Sequence, residues 1–97
     1  MGPNAPLGSY KNLSASANVS PNPCGMLGFF INSVAATATI QFYDDPSTGT
    51  STAITGLMTA ASGILVPGWY PLPVSTTKGL YVVIAVAAMN VTVVWAP

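Results

Sequence analysis

Asp44 and Asp45, Lys11 and Lys78, and the single thiol of Cys24 are, beside the tyrosines, the only side chains of this 97-residue chain that could exchange a proton. Arginine, glutamate and histidine are absent. Two adjacent carboxylates could in principle serve as acid and base. In an extended segment, however, neighbouring side chains point to opposite faces, so Asp44 and Asp45 cannot oppose one another across a glycosidic bond. A calcium loop would need both carboxylates together with backbone carbonyls and the hydroxyls of Ser47 and Thr48. The run Asp44-Asp45-Pro46-Ser47-Thr48-Gly49-Thr50 reads more directly as a turn: aspartates bond local amides, proline fixes φ, and glycine allows positive φ. Cys24 has no histidine to activate it and no second cysteine to bridge to, so it is read as a buried structural thiol in a turn that enters a strand. Serine and threonine hydroxyls abound, but nothing stands ready to deprotonate them. The expectation is a protein without catalysis, cofactor or metal.

Aromatic rings offer different chemistry. Neutral sugars stack on exposed rings and need few charges, and the neighbours Trp69 and Tyr70 are the candidate glycan platform, with Tyr10, Tyr43, Tyr81 and Trp95 also available. The same large residues are wanted by the core and by any subunit interface, and those uses are weighed above a ligand platform. Sequons occur at Asn12, Asn18 and Asn90, as expected by chance in a chain rich in Ser and Thr. The opening residues have neither a basic nor an apolar region of the kind found in signal peptides, so no leader is expected.

The elements that must position these residues are short strands. Proline and glycine occur nine times each and recur about every ten residues, the punctuation of an all-β chain. Strands are expected at about 9–19, 25–34, 37–43, 52–58, 63–66, 69–74, 79–87 and 90–95. They should form one small antiparallel β-sandwich of about eight strands, jelly-roll-like, over residues 9–97. Residues 1–8, with Pro3 and Pro6, read as an extended arm. The Trp69-Tyr70-Pro71-Leu72-Pro73 run suits an edge strand, because proline cannot donate to a ladder.

Alternation places Ile40 and Phe42 on one face, and Leu80, Val82, Ile84 and Val86 on another. Opposite the latter stand Tyr81, Val83, Ala85 and Ala87, so this strand is apolar on both sides. With too little chain for a third layer, its outer face is expected to meet another subunit. Residues 79–97 are also uncharged and long enough to span a bilayer as a helix. Their β-branched runs, the amide of Asn90 mid-span and the lack of flanking positive charge argue instead for two consecutive strands.

Composition points the same way. Only 4% of residues are charged, against about a quarter in ordinary soluble domains, and net charge is zero. At 51% hydrophobic the chain is not of the disordered type. Two lysines far apart cannot grip a phosphate backbone, so nucleic acid is not an expected partner. A surface without charge is poorly protected against association, and self-association or burial by a partner becomes the expected state.

Several short runs support a resemblance. Ile40-Gln41-Phe42-Tyr43-Asp44-Asp45, Thr48-Gly49-Thr50, Ala53-Ile54-Thr55, Trp69-Tyr70-Pro71-Leu72-Pro73, Lys78-Gly79-Leu80-Tyr81 and Asn90-Val91-Thr92-Val93-Val94-Trp95 together resemble small structural proteins of tailed bacteriophages, over residues 25–95. The resemblance implies a capsid decoration or cement protein, a head-fibre base or a tail component, made in the host cytoplasm and carried on the virion. It implies as partners the major capsid protein and further copies of this chain, in a trimer or another small homo-oligomer. Tyr81, Val83, Ala85, Trp69 and Tyr70 are the expected contact residues, and no catalytic residue carries over.

Overall fold

The computed structural model describes residues 8–50, 52–60 and 65–96. They form eight strands: β1 (Ser9–Leu13), β2 (Ala17–Ser20), β3 (Gly25–Val34), β4 (Thr39–Tyr43), β5 (Met58–Thr59), β6 (Gly68–Ser75), β7 (Leu80–Ala85) and β8 (Met89–Ala96). Two antiparallel four-stranded sheets result, in the orders β1-β8-β3-β6 and β2-β7-β4-β5. Among the neighbours are all four pairs obtained by folding the chain back on itself between β4 and β5: β1 with β8, β2 with β7, β3 with β6 and β4 with β5. That double ribbon is closed into two sheets by β3 against β8 and β4 against β7. This is a jelly roll of minimal length.

Period-two patterning explains the layers. On β4, Ile40 and Phe42 are fully buried while Gln41 and Tyr43 keep partial contact with solvent. On β8, Met89, Val91 and Val93 point inward; on β7, Leu80 and Val82 do. Between the sheets Phe29 and Phe42 meet at a centroid separation of 4.8 Å, tilted by 40°, and Tyr70 stacks on Phe29 at 5.2 Å. Residues 79–96 thus hold two consecutive strands, β7 and β8, as their β-branched runs foretell, and no helix among the described residues is long and apolar enough to cross a membrane.

Four expected strands differ. The segment 9–19 is broken at Ser14–Ser16, where the chain leaves the first sheet for the second. There the Ser16 hydroxyl accepts from the Ile84 amide (3.0 Å) and donates to the Ile84 carbonyl (3.2 Å), taking ladder positions a continuous strand would have used. The segment 52–58 is reduced to a bridge at Ala53 and the two-residue β5. Side chains intervene here too: Gln41 Nε2 donates to the Thr55 carbonyl (2.9 Å) and Thr55 Oγ1 accepts from the Phe42 amide (3.3 Å).

The third is 79–87, which ends at Ala85. Val86 does not share the inner face of Leu80 and Val82; it is 78% exposed at φ 72°, in a turn closed by Ala87 N–H donating to the Ala85 carbonyl at 2.9 Å. A β-branched residue at positive φ is strained, and the tight three-residue turn that forces it explains the departure from alternation. Of the expected strand 63–66, residues 63 and 64 lie outside the described residues, as do 1–7 of the expected arm, and Leu65 is buried in a connection rather than a strand. The Pro-containing strand β6 is an edge of the first sheet.

Cys24, just before β3, is buried and unbridged. Its amide donates to Thr76 Oγ1 (2.9 Å), and the Thr76 amide donates to the Cys24 carbonyl (2.8 Å).

Because the Phe29–Phe42 contact joins the two sheets, Phe42→Ala should cost about 3–5 kcal/mol and Phe42→Leu less than about 1.5 kcal/mol. Denaturant unfolding of the variants checks this; equal, small losses would mean that the ring contact is not central to the core.

Candidate functional site

Charge is confined to the margins of the sandwich. Asp44, Asp45 and Lys78 lie in the connections that follow β4 and precede β7, while Lys11 sits on the edge strand β1 and donates from Nζ to the Asn18 carbonyl at 2.8 Å, tying β1 to β2 across the gap between sheets. Neither outer sheet face carries a charged side chain.

The two aspartates are committed to backbone amides. Asp44, buried at the end of β4, accepts from the amides of Thr77 (3.0 Å to Oδ2), Lys78 (2.8 Å) and Gly79 (3.3 Å) and from the Thr77 hydroxyl (3.0 Å). Burial by itself would raise its pKa, but these four donors outweigh the desolvation and hold the carboxyl below its ordinary value. Gly79 is required at this crossing, since a Cβ there would stand 2.6 Å from Pro46 Cα and 2.7 Å from the carbonyl oxygens of Asp45 and Ser20. Asp45 Oδ1 accepts the amides of Ser47 and Gly49, each at 2.9 Å, as turn chemistry foresees. The arrangement is a capped turn and a clamp between loops.

The outer face of the first sheet is different in kind. One cross-strand row runs Asn12 of β1, Thr92 of β8, Phe30 of β3 and Trp69 of β6. Phe30 and Trp69 pack at 4.7 Å between centroids and stay 43% and 42% exposed. The indole lies over Gly28, where a Cβ would come within 2.5 Å of Trp69 Cη2, so the absence of a side chain there makes room for the ring. Leu27 and Tyr10, the latter 77% exposed, extend the apolar part.

Toward β1 the row becomes polar. Asn12 Nδ2 donates to Asn90 Oδ1 and Thr92 Oγ1, both at 3.0 Å; Asn32 Nδ2 donates to the same two atoms, also at 3.0 Å. Asn90 Nδ2 returns a bond to Asn12 Oδ1 at 3.2 Å.

The outer face of the second sheet sets Tyr81 opposite Tyr43 and Asn18, Val83 opposite Gln41, and Ala85 opposite Thr39. The Tyr43 hydroxyl donates to Gln41 Oε1 at 2.8 Å. Tyr81 and Val83 are half-buried and Ala85 is exposed.

The five contact residues expected from sequence are therefore divided. Tyr81, Val83 and Ala85 lie together on the second sheet, and Trp69 lies on the outer face of the first. Tyr70 turns inward to Phe29, its hydroxyl accepting from the Val66 amide (2.8 Å) and donating to the Val66 carbonyl (2.7 Å). Trp69 and Tyr70 cannot form one platform, because consecutive strand residues face opposite ways. Trp69's partner is Phe30, and the asparagine cluster went unseen; alternation around Gly28 exposes Phe30, but the meeting of Asn12, Asn32 and Asn90 depends on strand register. No known protein family, curated protein or solved structure matches this chain.

The Asp44 clamp makes a signed prediction. With a lowered folded pKa, its contribution is complete above the ordinary aspartate value of 3.8 and is lost as pH falls through the folded value. Asp44→Asn should cost about 2–3 kcal/mol at neutral pH. In thermal melts the gap between wild type and variant should close as pH falls below about 3.8. A gap unchanged by acid would show that the carboxylate charge is not what holds the turn.

Proposed function

We propose that this chain is a structural subunit of a bacteriophage virion, a decoration or cement protein that adheres to the capsid shell and to its own copies without catalysis. The observation that carries this reading is the second sheet's outer face: uncharged, half-buried at Tyr81 and Val83, and apolar on the very strand whose other side already fills the core. Jelly rolls serve viral capsid domains, lectins and cupins, so architecture agrees with the reading without selecting it. The resemblance to small structural proteins of tailed phages supports the same choice.

Adhesion of this kind needs no site in the enzymatic sense. Burial of apolar area contributes about 25 cal/mol per Å², and a standard interface removes about 800 Å² from each partner. Uncharged faces avoid the desolvation cost of ion pairs, and their association is little affected by salt. A trimer or another small oligomer, seated on the major capsid protein, would cover the face.

Val83→Glu tests the reading, since it places a carboxylate where the contact would exclude water. Wild-type protein mixed with purified phage capsid shells should co-sediment with them. The variant should lose that association at least about tenfold, the equivalent of 1.4 kcal/mol, while its melting temperature stays near wild type. Failure of the wild type to join the shells, or unaltered binding by a folded Val83→Glu, would contradict it.

A further inference from the structure

We infer that the outer face of the first sheet is a binding site for a neutral oligosaccharide, with Trp69 and Phe30 as the stacking surface and Asn12, Asn32, Asn90 and Thr92 as the hydrogen-bonding end. This uses the sheet that the proposed adhesion leaves uncovered, so it stands apart from the virion reading.

The case begins with what the face lacks and what it holds. It presents no charged side chain, so a phosphate, sulfate or uronate would meet no counter-charge. Its row sets two exposed rings beside a fixed group of amides and a hydroxyl, and strands spaced by about 4.8 Å put Asn12 about 14 Å from Trp69 at the backbone. A chain of sugar rings has matching chemistry: apolar C–H faces that pack on aromatic rings, and rims of hydroxyls that both donate and accept.

Polar valences remain to receive those hydroxyls. Asn32 Oδ1 accepts no hydrogen bond among the described residues, and Thr92 Oγ1 takes two amide donors while its own hydrogen has no acceptor among them. A dry protein partner laid on this face would bury these groups unsatisfied at a cost, whereas a sugar would satisfy them. That difference favours a glycan over a second copy of the chain here.

The site is also organised before any ligand arrives. Each asparagine in the cluster is held by at least one other member, and the indole is fixed between the bare backbone of Gly28 and the Phe30 ring. Little side-chain freedom is then lost on binding.

Titration of the purified protein with cello-, malto-, xylo-, manno- and chito-oligosaccharides, followed by two-dimensional NMR, tests the inference. At least one series should shift the Trp69 indole signal together with the side-chain amides of Asn12, Asn32 and Asn90. Trp69→Ala should weaken that binding by about tenfold or more, and Asn32→Ala, at an exposed position, by about threefold to tenfold without lowering the melting temperature. An oligogalacturonate should bind no better than the neutral sugars. Absence of shifts with every series would overturn the inference. So would shifts confined to Tyr81 and Val83, or affinity unchanged in both variants.

Discussion

Phe29 and Phe42 meet across the gap between the sheets, and the rest of the sandwich is arranged so that they can. Each lies on a strand with neighbours on both sides, β3 between β8 and β6 and β4 between β7 and β5. Their contact sets the spacing at which Leu80, Val82, Val91 and Val93 close around them. With four charged side chains in the whole chain, apolar burial and backbone pairing must supply nearly all the cohesion. The inner faces solve most of that problem, although the Trp95 indole N–H is buried without a partner among the described residues. The outer faces inherit it, because the same composition that fills a core leaves little with which to solvate a surface.

Polar groups are used sparingly and mostly as fasteners. Asp44 gathers three amides and a hydroxyl from the turn before β7, Ser16 occupies the corner between β1 and β2, and Thr76 binds the backbone of Cys24. In each case a side chain substitutes for a backbone partner where the chain changes sheet or direction, which is where ladder bonds run out. The asparagine cluster does not fit that pattern. It lies on an outer face, from the edge strand β1 across the ends of β8 and β3, away from any change of sheet, and it has valence left over. A structural fastener would be expected to be saturated.

Much of the fold was legible because strand alternation is a local property. Ile40 and Phe42 inward, the edge position of Trp69–Pro73, and the apolar outer face at Tyr81 and Val83 all follow from neighbours in sequence. Val86 leaves the face that alternation assigns it because a tight turn overrides the period of the strand before it. The segments around Ser16 and Thr55 carry the pattern of continuous strand, because side-chain capture of backbone groups leaves no mark on hydrophobic periodicity. The candidate sites were legible only in part, for a related reason. Adjacency in sequence suggested Trp69 with Tyr70, but a pleated strand separates neighbours and unites residues from other strands, so Phe30, Asn12 and Asn90 emerge only with the register.

The proposed adhesion requires that the uncharged outer face of the second sheet be covered. Sedimentation velocity of the purified chain at about 100 μM, in NaCl from about 0.05 to 1 M, tests it most directly. The account predicts a discrete small oligomer whose size does not change with salt, since the contact is apolar. A single species at the 9.9 kDa monomer mass under all these conditions would contradict it.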